Sequence, residues 1–278
     1  MNTIFYLLKR TRLYKPLREL YRRLKKVPTH PLQRRRDRKD LNIIHLGSDA
    51  CGWSFLESSS LLGCTIISAG LGEDASFDIE FARKYNARVI IVDPTPRAIQ
   101  HYKEIVQNLG RHRSQNYSSG GRQQIEAYEL SELTAHNLML VEKALWNEST
   151  KLRFFEPANS EHISHSIVNF QHSYRTDTPF IEVQATTLAE LLADLDMHPE
   201  QIELLKLDIE GAEIEVLTHA MTKHIRPSQI LVEFDELNFP TDKGFERIDR
   251  AHAVLSKNNY ELVRTDGQAD FLYLRKDM

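Results

Sequence analysis

The chain has 278 residues, 41% hydrophobic and 27% charged, which is enough to bury a large core and fits one big α/β domain with an appendage better than two full domains. Its two cysteines, Cys51 and Cys64, match no metal or redox spacing and read as reduced, buried thiols. The net charge is only -3, but residues 1–40 hold 14 Lys and Arg against 3 Asp and Glu, and the other 238 residues hold 22 against 36, so a basic arm precedes an acidic body.

The earliest apolar run, Ile4 to Leu8, is far too short to span a bilayer, and Lys9, Arg10 and Arg12 stand where a signal peptide needs apolar residues, so an intracellular protein is expected. Leu13, Leu17, Leu20, Tyr21 and Leu24 then recur at helical spacing among Arg and Lys, the pattern of a basic amphipathic helix. Such a helix over residues 1–26 can lie on anionic lipid or an acidic partner, or pack on its own domain. Pro28 and Pro31 end it, Arg34 to Asp40 reads as a charged linker, and the globular body is expected to begin near Leu41.

From there strand-like runs fall at Ile43–Leu46, Thr65–Ser68, Val89–Val92, Leu138–Val141, Ile181–Gln184, Leu204–Leu207 and Ile230–Phe234. Helical spacing falls at Phe77–Tyr85, Arg97–Leu109, Thr187–Leu195, Glu213–His219 and Phe245–Asn258. This alternation predicts a mostly parallel, doubly wound α/β sheet. The polar stretch Arg111 to Gln124 reads as a loop, a lid or a disordered insert. At the end, Tyr260–Arg264 and Phe271–Leu274 are separated by too few residues for a parallel crossover, so the last strand should run antiparallel.

Several residues point to chemistry. Gly70, Leu71 and Gly72 follow a strand and precede a helix, where glycine lets the backbone turn tightly and approach a ligand, and Asp74 lies just beyond. Asp93, at the tip of the next strand, is placed to accept ribose hydroxyls, or simply opens the DPTP turn. Glu142, Ala144 and Trp146, past the third strand, would stand near an adenine slot, though Trp146 as plain core fits equally. In LKLDIEGAE, Asp208 and Glu210 share a face if the strand continues, and paired acids can act as a base with an electrostatic partner, ligate a hard cation or hold a cationic cofactor group. Glu213 suits the dipole of a helix start, and Glu233 and Asp235 repeat the acidic pattern on the next strand. His165, with His162 and His172 nearby, is a candidate substrate-facing base, because imidazole takes a proton near neutrality; zinc would want tighter convergence.

Taken in order, GW at residues 52–53, SAGLGEDASFD at 68–78, VDPTPRAI at 92–99, EKALWN at 142–147, SHSI at 164–167, TTLAELL at 186–192, KLDIEGAEIEVL at 206–217 and VEFDE at 232–236 resemble the FkbM family of S-adenosylmethionine-dependent methyltransferases. The resemblance covers most of residues 50–240. It implies a class I methyltransferase fold, Rossmann-like and doubly wound with a terminal antiparallel hairpin, over residues 41–278, preceded by the basic helix. It also implies O-methylation of a hydroxyl on a sugar or secondary metabolite. Carried over, Gly70, Gly72 and Asp74 would line the S-adenosylmethionine site, Asp93 would bind its ribose, and Asp208 and Glu210 would face the methyl-transfer zone. His165 or Asp208 would then serve as base, or a magnesium ion on Asp208 and Glu210 would lower the hydroxyl pKa. No specific nucleic-acid partner is expected. The basic arm lies outside the resemblance, and its expected contact is peripheral, with a membrane. Two other classes compete: a non-catalytic module of the same fold that docks through the arm on membrane or anionic polymer, and a nicotinamide-dependent oxidoreductase. The second is disfavoured by the terminal hairpin and by Ala75, which stands where a GxGxxG motif would place its third glycine.

Overall fold

The computed structural model describes residues 27–155, 178–238 and 240–276. The amphipathic helix expected over residues 1–26, and His162, His165 and His172, lie outside the described residues.

Twelve strands and five α-helices are found among the described residues, with strands β1 (Ile43–Leu46), β2 (Trp53–Leu56), β3 (Thr65–Ala69), β4 (Arg88–Val92), β5 (Leu138–Val141), β6 (Ala144–Leu145), β7 (Lys151–Phe155), β8 (Phe180–Thr186), β9 (Ile202–Leu207), β10 (Gln229–Glu233), β11 (Tyr260–Thr265) and β12 (Asp270–Arg275). The helices are α1 (Ser76–Tyr85), α2 (Pro96–Gln107), α3 (Leu188–Asp194), α4 (Glu213–Thr222) and α5 (Asp242–Lys257). Seven strands form the central sheet in the order β11-β12-β10-β9-β3-β4-β5. Its pairings are parallel from β10 through β9, β3 and β4 to β5. Strand β12 runs antiparallel to both β10 and β11, the terminal hairpin that the short TDGQAD connection requires.

The central strands are apolar on both faces because both are covered. Ile67, Leu205 and Ile230 pack with α3, α4 and α5, whereas Ile66, Leu204 and Leu231 pack with α1, α2 and β2. The chain runs outward from β3 to β4 and β5 and then returns to lay β9 on the other side of β3. That reversal makes the β3/β9 boundary the topological switch point, and ligands of open α/β sheets bind at the carboxyl ends of the strands there.

The helices start and stop where local chemistry directs. Thr187 closes a capping box with Glu190 on α3, Thr241 accepts from the Gly244 amide on α5, Pro96 opens α2, and Asn86, at φ 47°, ends α1 in the left-handed region.

Three expectations are corrected. Strand β1 is not part of the main sheet: it pairs antiparallel with β2 in a separate ribbon, because six residues cannot make a parallel crossover. Strand β8 likewise leaves the main sheet and joins β6 and β7 in a small second one. The charged stretch before Leu41 is packed rather than a free linker. His30 is buried against Phe245, and Gln33 donates to the Gln268 carbonyl. Asp37 holds Arg264 and the Thr265 amide, and the Arg38 amide donates to Val263.

Both cysteines are free and partly buried. No helix among the described residues is long and apolar enough to cross a membrane.

Candidate functional site

The glycine turn after β3 sits at the switch point. Gly70, at φ +87°, approaches β9 so closely that an added Cβ would stand 1.8 Å from the Asp208 carbonyl oxygen. Glycine is therefore the residue that fits. Gly72, at φ +57°, has nothing within 4 Å of its Cβ position, so the outer face of the turn is open, as a cradle for a ligand requires.

The turn is held from both flanks. On one side Asp93, 6% exposed, accepts from the Leu71 amide at 2.9 Å and the Gly72 amide at 3.1 Å through Oδ2, and from the Thr95 amide and hydroxyl through Oδ1. These four donors fill the acceptor positions of a carboxylate. Asp93 thus faces the glycine turn and opens the DPTP turn at once. A ribose diol at this acid would have to share those positions.

On the other side Lys206, 3% exposed on β9, donates to the Gly70 carbonyl at 2.5 Å and lies 3.4 Å from that of Ala69. The Asp208 amide donates to Ala69. Strand β9 ends at Leu207, and Asp208 to Gly211 form a turn with Glu210 at φ +55°. Asp208 and Glu210 are therefore not aligned by a continuing strand pleat, as the expectation required. Asp208 is about one-third exposed at the strand tip. Glu213, in the first turn of α4, accepts from the Ile209 and Gly211 amides and so closes this turn, and its burial holds the carboxyl well above the ordinary range.

Next to that turn, Glu233 is the last residue of β10 and Asp235 lies just beyond it. Burial, with the Asp208 carboxylate adding to it, pushes Glu233 well up, while Asp235 is pushed up to about 6, chiefly by burial. Among the described residues no group of three or more His, Cys, Asp and Glu is arranged to hold a metal ion.

Asp74 is buried, but its carboxylate is turned to neighbouring segments of chain. It accepts from Ser48 Oγ at 2.7 Å, Gln123 Nε2 at 2.9 Å and the Ser76 amide at 2.9 Å. It therefore ties the β1–β2 connection and the 111–124 segment to the start of α1. Glu73 reinforces this through ion pairs with Arg97 and Arg122, and its carbonyl takes the Gln123 amide. Of the alternatives for residues 111–124, the structure shows a loop pinned over the start of α1. Cys51 approaches it, 3.7 Å from the Cβ position of Gly121, and burial raises its thiol pKa.

Ala144 opens β6 of the small sheet, buried with Phe154 and Val183, and Trp146, just past that strand, packs against the same cluster. A hollow of about 360 Å³ lies elsewhere, along the outer side of β5, lined by Arg88, Tyr102, Lys103, His136 and Met139 among others. It is not at the switch point, and of the residues expected past the third strand only Glu142 lines it.

Sequence reasoning missed Lys206, Asp78 and the Ser48–Asp74–Gln123 junction. Only Lys206 carried a signal, a lone cation inside the apolar run of β9. Asp78, 1% exposed on α1, has its carboxyl pKa raised by burial, with Lys206 opposing the shift.

The Methyltransferase FkbM domain model matches residues 59–262. No curated protein matches the sequence. Among solved structures, the chain is similar to the Methanococcus jannaschii fibrillarin pre-rRNA processing protein, at 10% identity and a TM-score of 0.39, covering 86% of this chain and 84% of that one. A fibrillarin/Nop5p complex matches at 10% identity and TM-score 0.36, covering 77% and 73% of the respective chains. M. jannaschii TYW2 in complex with AdoMet matches at 8% and 0.31, covering 84% and 87%.

Proposed function

Because the chain belongs to the FkbM family of S-adenosylmethionine-dependent methyltransferases, we propose that it transfers a methyl group to a hydroxyl of a sugar, glycan or secondary metabolite. The observation that carries this reading is the open glycine turn at the switch point, held by Asp93 and standing beside the acidic tip of β9.

The residues fit the cofactor. The open side of Gly72 admits a ligand next to the backbone, and Leu71 and Asp74 would line the cofactor through their main chain, the Asp74 carboxylate being held by Ser48, Ser76 and Gln123. Asp93 would present its carboxylate to the ribose as Thr95 yields a share of it. Ala144 and Trp146 would bound the adenine from the small sheet. When bound, S-adenosylmethionine supplies a methyl group already activated by its sulfonium.

The protein's remaining task is to place an acceptor oxygen in line with that methyl and to take the hydroxyl proton. Asp208, partly exposed beside Gly70, is the described carboxylate best placed to receive it. Glu210 on the same turn would support the charge, and His165 is the other candidate base. Magnesium assistance has no donor cluster in its favour among the described residues. The basic segment of residues 1–26 would add a peripheral contact with an anionic membrane.

Calorimetry with S-adenosylhomocysteine tests the cofactor site, and transfer of labelled methyl to hydroxyl-bearing acceptors tests the reaction. Absence of binding at millimolar S-adenosylhomocysteine would sink the enzyme reading and leave a non-catalytic module of the same fold.

A further inference from the structure

We propose that Lys206 is a positioning residue of the methyl-donor site, which clamps the Gly70–Leu71 peptide plane against the pull of Asp93. The inference rests on the cofactor reading above. The two ends of this one peptide unit go to opposite charges on opposite neighbouring strands. Its carbonyl, on Gly70, accepts from Lys206 Nζ of β9 at 2.5 Å, and its N–H, on Leu71, donates to Asp93 Oδ2 after β4 at 2.9 Å. Amide planes beside glycine rotate easily, because a glycine with positive φ pays no Cβ penalty in either orientation. A rotated plane would withdraw the Leu71 N–H from Asp93 and swing the Gly70 carbonyl into the open face of the turn.

Packing alone does not account for a lysine here. Its neighbours on β9, Leu204, Leu205 and Leu207, are fully buried and apolar, and its partner in register on β3 is Ser68. Burying an ammonium is costly unless its donors are used, and a hydrophobe of similar volume is often tolerated as well or better. The ammonium spends its donors on the turn and its charge on what surrounds the turn. The nearest carboxylate oxygen, Asp208 Oδ2, is 4.0 Å away, and the Trp53 ring centroid is 5.6 Å away. Asp78 supplies a further buried carboxyl that interacts with it. The role assigned to Lys206 needs no contact with cofactor or acceptor. It acts through the plane it fixes.

The test is calorimetric titration of the full chain and its variants with S-adenosylhomocysteine, beside their thermal unfolding. Failure of the wild type to bind would fault the cofactor reading and not this one. Given wild-type binding, Lys206→Met, titrated well below the temperature at which it begins to unfold, is expected to bind about tenfold more weakly, the scale of one lost charge-assisted hydrogen bond. Lys206→Gln, which keeps a donor for the Gly70 carbonyl but no charge, should fall between the two. In combination with Asp93→Asn, Lys206→Met should add little to the loss, since either change releases the same plane. Lys206→Met binding within twofold of wild type, or losses that multiply in the double variant, would overturn the proposal. If Lys206→Met does not fold, amide exchange by NMR decides with Lys206→Gln: the Leu71 N–H should exchange about tenfold faster than in the wild type, and equal rates would overturn it.

Discussion

Replacing Gly70 by alanine should be far more damaging than the same change two residues on. The new methyl would lie 1.8 Å from the Asp208 carbonyl oxygen and 2.8 Å from its carbon, where ordinary contact begins near 3.5 Å. Relief requires the tips of β3 and β9 to part by about 1.5–2 Å. At that separation the Asp208 amide loses Ala69, at 3.1 Å, and Lys206 loses Gly70, at 2.5 Å. A neutral bond contributes about 1 kcal/mol and a charged one about 1.5–3 kcal/mol. The positive φ adds about 1–2 kcal/mol for a residue with a Cβ. Together Gly70→Ala should cost about 4–6 kcal/mol. Gly72→Ala meets nothing within 4 Å and should cost only the backbone part, about 1–2 kcal/mol. Urea unfolding of both variants beside the wild type measures the gap, and a Gly70→Ala stability within about 1 kcal/mol of Gly72→Ala would refute the reasoning.

Stability should also depend on pH through Asp235, whose carboxyl is raised from 3.8 to about 6, chiefly by burial. Because the folded pKa exceeds the unfolded one, the folded state holds the proton more tightly, and stability falls as pH rises from about 4 to 6. A shift of about two units corresponds to about 3 kcal/mol. Asp235→Asn should therefore be stabilising by up to about 3 kcal/mol at pH 7 and by little at pH 4, and an equal effect at both would contradict this. Gln123→Ala removes one donor from Asp74 and should cost about 1 kcal/mol, with faster tryptic cleavage at Arg111, Arg113 or Arg122; unchanged cleavage would show that the loop is held otherwise. Thr187→Ala opens the capping box of α3 and should cost about 0.5–2 kcal/mol in thermal or urea unfolding, leaving cofactor affinity alone.

Periodicity made the individual elements legible. Every strand and helix expected within the described residues exists, within a few residues at its ends, because alternating and 3.6-residue patterns report which faces are buried. Periodicity does not report the partner. Ile43–Leu46 looks the same whether it joins a sheet or a ribbon, and its place was decided by the closeness of Trp53–Leu56, a strand not foreseen. Ile181–Gln184 is extended, as its alternation requires, yet it pairs with Lys151–Phe155 in the small sheet. At the site, the glycines, Asp93 and Asp208 announced themselves by residue type at strand ends. The Ser48–Asp74–Gln123 junction did not, because its members lie 26 and 49 residues apart and serine and glutamine are ordinary loop residues. The direction of a carboxylate was also invisible in the sequence. Asp74 reads as a ligand-facing acid but spends its oxygens on the chain itself.

The segment around Asp37 and Arg38 has a bearing on how this molecule meets copies of itself. A sheet recruits further strands along whichever flank leaves its backbone groups unused, and such flanks seed aggregation. At β11 that opportunity is reduced, since Arg38 already occupies the Val263 carbonyl and Asp37 the Thr265 amide. At the opposite flank β5 pairs with β4 alone among the described residues, although Tyr102 takes the Leu138 carbonyl. Unwanted strand addition should therefore begin at β5, and clipping the chain just before Leu41 would create a second point of entry.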